Sequence, residues 1–416
     1  QIIILSVLIA LNYGIMLTNI PIELIQFYLE QTQQTTYLDT ITAFFASSAA
    51  IGAAVAQLSM YVIDKRMKLI NQFLMYILLN IIFNAAISIK IHFMYFIVFR
   101  FLIGWATGSI FSLLPILVSQ QTIPSIRQQV MGLFSVFINF GILLGYVLTI
   151  LLYWIKLETF WSFLFIVQIF INLVTLISLF MFKKSMTTDS KYDQLDSNLL
   201  QPIRSVKFTF KQKAKLTTIA VVLGTIQMTT GINSVIAYAS LIFKNVFNTE
   251  NSGVYGATIV GAVNFAAMLL STLFISRFNR KPLLVCGFCG CIASNVLMAV
   301  AYGFEINENT KSSLIVSMIV VFLLSYQLAP GPIVLMLVGE LFPEEIRTKY
   351  VGIGFTFNWI WNIVIVFTFK YFESIQWVIH ILYAGVTGVL LLLLVMQIPE
   401  TKGKSSKDLL EIIKKW

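Results

Sequence analysis

Residues 183–215 read KKSMTTDSKYDQLDSNLLQPIRSVKFTFKQKAK, the one long polar stretch of the chain. On both sides lie apolar runs of roughly the ~20 residues that a helix needs to cross the hydrocarbon core of a bilayer. Six runs precede it, at 1–20, 39–63, 70–89, 93–119, 130–154 and 160–182. Six follow, at 216–243, 252–276, 282–304, 312–340, 350–370 and 377–398. The first run contains IIILSVLIALNYGIM, which lacks the basic start and cleavage site of a signal peptide and reads as a span. The expected organisation is a six-helix bundle over 1–182, a cytoplasmic connector over 183–215, a second bundle over 216–398 and a cytoplasmic tail over 399–416.

Composition points the same way. Of 416 residues, 58% are hydrophobic and 11% charged, and the mean hydropathy is +0.87. Globular chains carry about 25% charged residues, so lipid must surround most of this one. The net charge of +10 is not gathered into a nucleic-acid patch. Most of the 28 Lys and Arg lie in alternate loops: Lys65, Arg66 and Lys68; Arg127; the central stretch; Arg277, Arg280 and Lys281; Arg347 and Lys349; and the tail. The other loops hold single lysines such as Lys90, Lys156 and Lys311. Basic loops stay in the cytoplasm. Both termini are therefore expected there, in the plasma membrane or an endomembrane. The turns IDKRMK and SRFNRK follow the second run of each half, which points to a duplicated unit.

Cys286, Cys289 and Cys291 have no second cysteine pair or histidine near them, so no metal site or cofactor is expected. They read as small packing residues, like the pairs Gly104/Gly108 and Gly141/Gly145. The LAPGPIV segment of the tenth run, with Pro330 and Pro332, predicts a broken helix.

The second half is rich in carboxamides: Gln227, Asn233, Asn264, Gln327, Asn358 and Asn362. A carboxamide both donates and accepts hydrogen bonds, as a sugar hydroxyl does. Converging amides can replace the hydration of a polyol without placing charge in the membrane. Tyr238, Tyr326, Phe357 and Trp359 flank them as possible stacking rings. The spans of the second half offer no counter-charge for an ionic substrate, so a neutral polyhydroxylated one is expected. Arg100 is the one clear intramembrane charge; it reads as a hydrogen-bond hub for helix ends, slightly ahead of a substrate contact.

The motifs resemble the sugar porter family of the major facilitator superfamily, above all its facilitative hexose transporters. They are PETKG at Pro399–Gly403, Gln227-Met-Thr-Thr-Gly231-Ile232-Asn233 with Tyr238, Gly261-Ala-Val-Asn264, Pro330-Gly331-Pro332 with Gly339-Glu340-Leu341-Phe342-Pro343, and Asn358-Trp359-x-x-Asn362. The first half adds Arg100-Phe-Leu-Ile-Gly104, Pro115 and Gly141-Ile-Leu. The resemblance implies an all-α integral membrane protein with the major facilitator fold, twelve transmembrane helices in two pseudo-symmetric six-helix bundles. It implies sugar contacts at Gln227, Asn233, Asn264, Gln327 and Asn362, with Asn358 and Trp359 beside them. It also implies a cytoplasmic gate drawn from Arg127, Arg277, Arg280, Glu340, Arg347 and Glu400, with which Arg100 is grouped. Ser135 stands where the family often has a sugar-binding Gln, and Gln327 where many relatives carry Glu.

Proton-driven relatives have an acid in the first span, and Asn12-Tyr13-Gly14-Ile15 has none. The implied function is uniport of a hexose such as glucose by a monomer that needs no cofactor and makes no covalent bond. Its partners are a neutral monosaccharide and membrane lipid, not nucleic acid. The alternatives are a proton-coupled symporter of sugar or inositol, and a sugar sensor that does not transport.

Overall fold

The computed structural model describes residues 1–18, 38–63, 67–89, 93–122, 124–155, 162–188, 208–249, 251–342, 344–402 and 411–413. The connector at 189–207 and most of the tail after 402 lie outside the described residues. The first half comprises α1 (Ile2–Leu17), α2 (Leu38–Ile63), α3 (Leu69–Ile87), α4 (Phe93–Gln121), α5 (Pro124–Trp154) and α6 (Ser162–Thr188). The second comprises α7 (Phe210–Thr229), α8 (Ile232–Ala237), α9 (Ala239–Phe247), α10 (Ser252–Arg277), α11 (Arg280–Gly303), α12 (Glu308–Leu328), α13 (Pro330–Glu340), α14 (Glu344–Tyr371) and α15 (Gln376–Gln397). Among the described residues, eleven segments are long and apolar enough to span a membrane, and α1 is a shorter apolar helix. Helices suit lipid because each satisfies its own backbone.

The two halves repeat one packing scheme. In the first, α1 packs on α5 and α6, α2 on α4, and α3 on α4 and α6. In the second, α7 packs on α14 and α15, α10 on α12, and α11 on α12 and α15. Glycines permit the same close crossing in each. A Cβ on Gly14 of α1 would strike the backbone of α5 at Ile138 and Gly141, and one on Gly224 of α7 would strike Gly354 of α14. The halves meet along two seams, α2 against α14 and α5 against α10.

The connector turns into α7 through a capping box. The Thr209 hydroxyl accepts from the Gln212 backbone N–H at 3.3 Å, and the Gln212 side chain accepts from the Thr209 N–H at 2.9 Å. The break expected at LAPGPIV is present. Helix α12 ends at Leu328 and α13 restarts at Pro330, where a missing N–H is harmless.

A second break interrupts the span read as continuous over 216–243. Gly231 adopts φ 87°, left-handed backbone that glycine tolerates. A Cβ there would also meet the Tyr383 ring of α15. Neighbouring helices repair the freed polar groups. The Asn295 side chain donates to the Thr230 carbonyl at 3.2 Å, and the Ser234 and Tyr383 hydroxyls lie 3.1 Å apart. His380 packs behind this brace, with its Nδ1 2.9 Å from the Asn295 Oδ1.

Candidate functional site

The two helix breaks set the positions of the amides. Gln227 lies in the last turn of α7 and donates to the Gly331 carbonyl in the first turn of α13 at 3.0 Å. Asn358 of α14 donates to the Gln227 Oε1 and to the Gly224 carbonyl, both at 3.1 Å. Gln327 ends α12 and donates to the Asn264 Oδ1 at 2.7 Å and to the Asn139 Oδ1 at 2.8 Å. Asn264 donates to the same Asn139 oxygen at 2.6 Å. Asn139 belongs to α5, so this three-way contact crosses the seam between the halves.

Asn139 is the amide that the sequence reading missed. Ser135, which stands where the family often has a sugar-binding Gln, spends its hydroxyl on the Met131 carbonyl of its own helix at 3.2 Å. The side chain that reaches the second half is one turn further on. The first half holds a further amide cluster, also unread. Asn172 donates to Asn80 at 2.9 Å, Asn12 donates to Asn172 at 3.2 Å, and Asn80 donates to Thr107 at 2.6 Å. All four are buried, and none lines the cavity described next. The spacings Asn80/Asn84 and Gln168/Asn172 are four residues, which places each pair on one helix face.

A cavity lies between the halves. From the first half it is lined by α1, α2, α4 and α5, including Phe45, Arg100 and Tyr146; from the second by Asn233, Trp359 and Asn362. The space open to a water centre is about 60 Å³, room for several waters. Thr18 just past α1, Ser240 early in α9 and Val254 early in α10 also line it. The void therefore leans toward the end of the bundle where α10 begins. Asn233 donates to the Met228 Sδ at 3.2 Å. Asn362 is 4% exposed and hydrogen-bonds to none of the described residues. Of the seven residues expected to touch sugar, Asn233, Trp359 and Asn362 face this cavity. Gln227 and Asn358 bond to each other beside it, and Asn264 and Gln327 are held by Asn139.

Among the flanking rings, only Trp359 lines the cavity, edge-on to Tyr13 with centroids 6.4 Å apart. Tyr238 instead donates to the Val366 carbonyl at 2.9 Å and stacks on Phe369. Tyr326 stacks on Phe322 within the core.

Arg100 requires a correction. It was grouped with the cytoplasmic gate, yet it sits in the second turn of α4, at the far end of that helix from the α4–α5 turn that leads to Arg127. Its guanidinium carbon lies 4.9 Å from the Phe45 ring centroid, and the residue lines the cavity.

The remaining gate residues divide. The side chains of Arg127, Glu340 and Arg347 lie outside the described residues. Arg277 is exposed at the end of α10. Arg280 and Glu400 do meet, through the backbone. The Glu400 carboxylate accepts from the N–H groups of Arg280 at 3.3 Å and Lys281 at 3.1 Å, and from those of Thr401 and Lys402 at 3.0 Å each. An anion at a helix start is favourable, so the PETKG segment caps α11. Partial burial alone would raise the Glu400 pKa, but the backbone donors outweigh it and hold the carboxyl below its ordinary value. The Arg280 guanidinium donates to the Thr401 hydroxyl at 3.2 Å.

The family model described as "Sugar (and other) transporter" matches residues 1–412. The chain belongs to the sugar (and other) transporter family. Among relatives in that group, a 194-residue stretch is 29% identical to the mouse solute carrier family 2, facilitated glucose transporter member 2, covering 46% of this chain and 36% of that one. A 201-residue stretch is 27% identical to the D-xylose-proton symporter of Escherichia coli, covering 46% of this chain and 40% of that one. The matched stretches thus span well under half of those relatives. A crystal structure of a D-xylose-proton symporter superposes with TM-score 0.79 at 20% identity, over 97% of this chain and 99% of that one. That likeness is one of fold, and this family member is an integral, multi-pass, all-α membrane protein with the major facilitator fold.

Proposed function

We propose that this protein carries a hexose such as glucose across a membrane by facilitated, alternating access, with no bond made or broken. The observation that carries the reading is the cavity between the halves, where Asn233 and Asn362 offer carboxamides and Trp359 offers a ring. Amides replace the donors and acceptors of water around a hydroxylated ring, and a ring face suits its C–H surface. Family membership and the glucose facilitator among the relatives support a monosaccharide cargo.

The void leans toward the α10 start, while Glu400 caps α11 at the opposite end. With the basic loops cytoplasmic, this arrangement suits a state that faces outward. The protein is read as a plasma-membrane monomer with both termini inside. Uniport is favoured over proton symport because no Asp or Glu is among the described residues lining the cavity; proton relays in membranes use such groups.

The test is counterflow of labelled glucose into proteoliposomes holding the purified chain. Accumulation above equilibrium is expected, with at least a tenfold loss in Asn362→Ala. Counterflow that ignores Asn362→Ala removes the assigned site. Sugar-driven alkalinisation of the medium replaces uniport by symport, and binding without flux replaces transport by sensing.

A further inference from the structure

The cavity wall holds two buried N–H donors that no described residue satisfies. Among the described residues, the buried Arg100 Nε and Trp359 Nε1 have no hydrogen-bond partner. Arg100 and Trp359 line the cavity, and both atoms are donors without acceptor capacity. Arg100 is 7% exposed, and among the described residues its guanidinium meets the face of the neutral Phe45 ring and no carboxylate. A buried cation without a counter-ion is costly, and one in membrane points to a functional site with a partner to be named. A neutral hexose would leave the charge uncompensated.

The same wall presents the carboxamides of Asn233 and Asn362. A ligand that meets all of these groups has hydroxyls for the amides and an acceptor-only anionic group for the fork of Arg100. A guanidinium binds a carboxylate through two parallel N–H donors.

We infer that this cavity binds a monosaccharide bearing a carboxylate, a hexuronate, with Arg100 holding the carboxylate and the two asparagines holding ring hydroxyls. The assignment rests on the proposed sugar site and extends its cargo class from neutral hexoses to sugar acids. It makes Arg100 the residue that discriminates between them.

The experiment is competition in the counterflow assay at constant ionic strength. D-glucuronate is compared with D-glucuronamide, its neutral isostere, and with acetate and chloride as simple anions. Glucuronate is expected to inhibit glucose counterflow at least tenfold more potently than glucuronamide in the native chain. That ratio falls to about one in Arg100→Gln and is reduced but stays above one in Arg100→Lys, which keeps the charge without the fork. If Arg100→Gln does not fold, the native ratio and the Arg100→Lys ratio decide. If either substitution stops flux, the ratio is read from Trp fluorescence titration of the purified protein. A native ratio near one overturns the inference, as does an unchanged ratio in Arg100→Gln. So does inhibition by acetate or chloride that equals glucuronate, which marks a bare anion site. Absence of glucose counterflow together with selective glucuronate binding overturns the hexose reading and leaves the sugar-acid site standing.

Discussion

Replacing Gly231 by Ala tests whether the span-seven break is built into the fold. Two costs act there. Left-handed backbone at φ 87° costs a non-glycine residue roughly 1–2 kcal/mol. The added Cβ also meets Cδ2 and Cε2 of the Tyr383 ring, and overpacking of a tight core costs about 1–3 kcal/mol. The single variant should therefore lose roughly 2–5 kcal/mol, a large share of a typical total stability. Tyr383→Ala removes the ring and with it the clash, at its own cost in lost packing and the lost Ser234 contact. In a double-mutant cycle the Gly231→Ala penalty on the Tyr383→Ala background should shrink to about 1–2 kcal/mol, the backbone share alone. The assay is thermal or denaturant unfolding of detergent-purified protein, followed by glucose counterflow for the variants that survive. A Gly231→Ala protein as stable as the native chain would refute the reasoning. A penalty that is equal on both backgrounds would refute the steric half of it.

Asn139→Ala removes an oxygen that accepts from both Asn264 and Gln327. Bonds of this kind in membranes average about 0.6 kcal/mol each, so a loss of about 1 kcal/mol and a changed KM for glucose are expected, whereas Ser135→Ala should change neither. Glu400 carries a pH signature. Its carboxyl is held below the ordinary value of 4.5, so its contribution is full above that value and is lost as the pH falls through the folded-state value. Melting temperature should drop as the pH falls below that ordinary value of 4.5 in the native chain, with this part of the drop absent in Glu400→Gln. At neutral pH Glu400→Gln should cost about 0.3–1 kcal/mol, the usual worth of an anion at a helix start.

The spans were legible because the bilayer fixes their length, and Pro330 and Pro332 made one break legible because proline lacks an N–H. The break at Gly231 was not, since a glycine inside an apolar run looks like any packing glycine until a ring sits on it. The amides at 227, 264 and 327 were found, but their partners were not. Whether a carboxamide bonds to its neighbour or faces a void depends on helix rotation, which composition does not encode. Asn139 shows the sensitivity, because one helical turn separates it from Ser135, which bonds only within its own helix. The error over Arg100 was avoidable. A residue in the second turn of the fourth span lies at the opposite membrane face from a residue just after that span. The partners of Arg127, Glu340 and Arg347 depend on side chains outside the described residues.

On the proposed carrier reading, the contact among Asn139, Asn264 and Gln327 limits how firmly a cargo can be gripped. A hydroxyl arriving there trades one hydrogen bond for another of similar worth and fills no unmet need, so its net gain is small. Loose holding suits a molecule whose task ends with letting go on the far side. On the proposed carrier reading the same trio serves the vacant protein, whose two halves close on each other's amides to reset without a passenger.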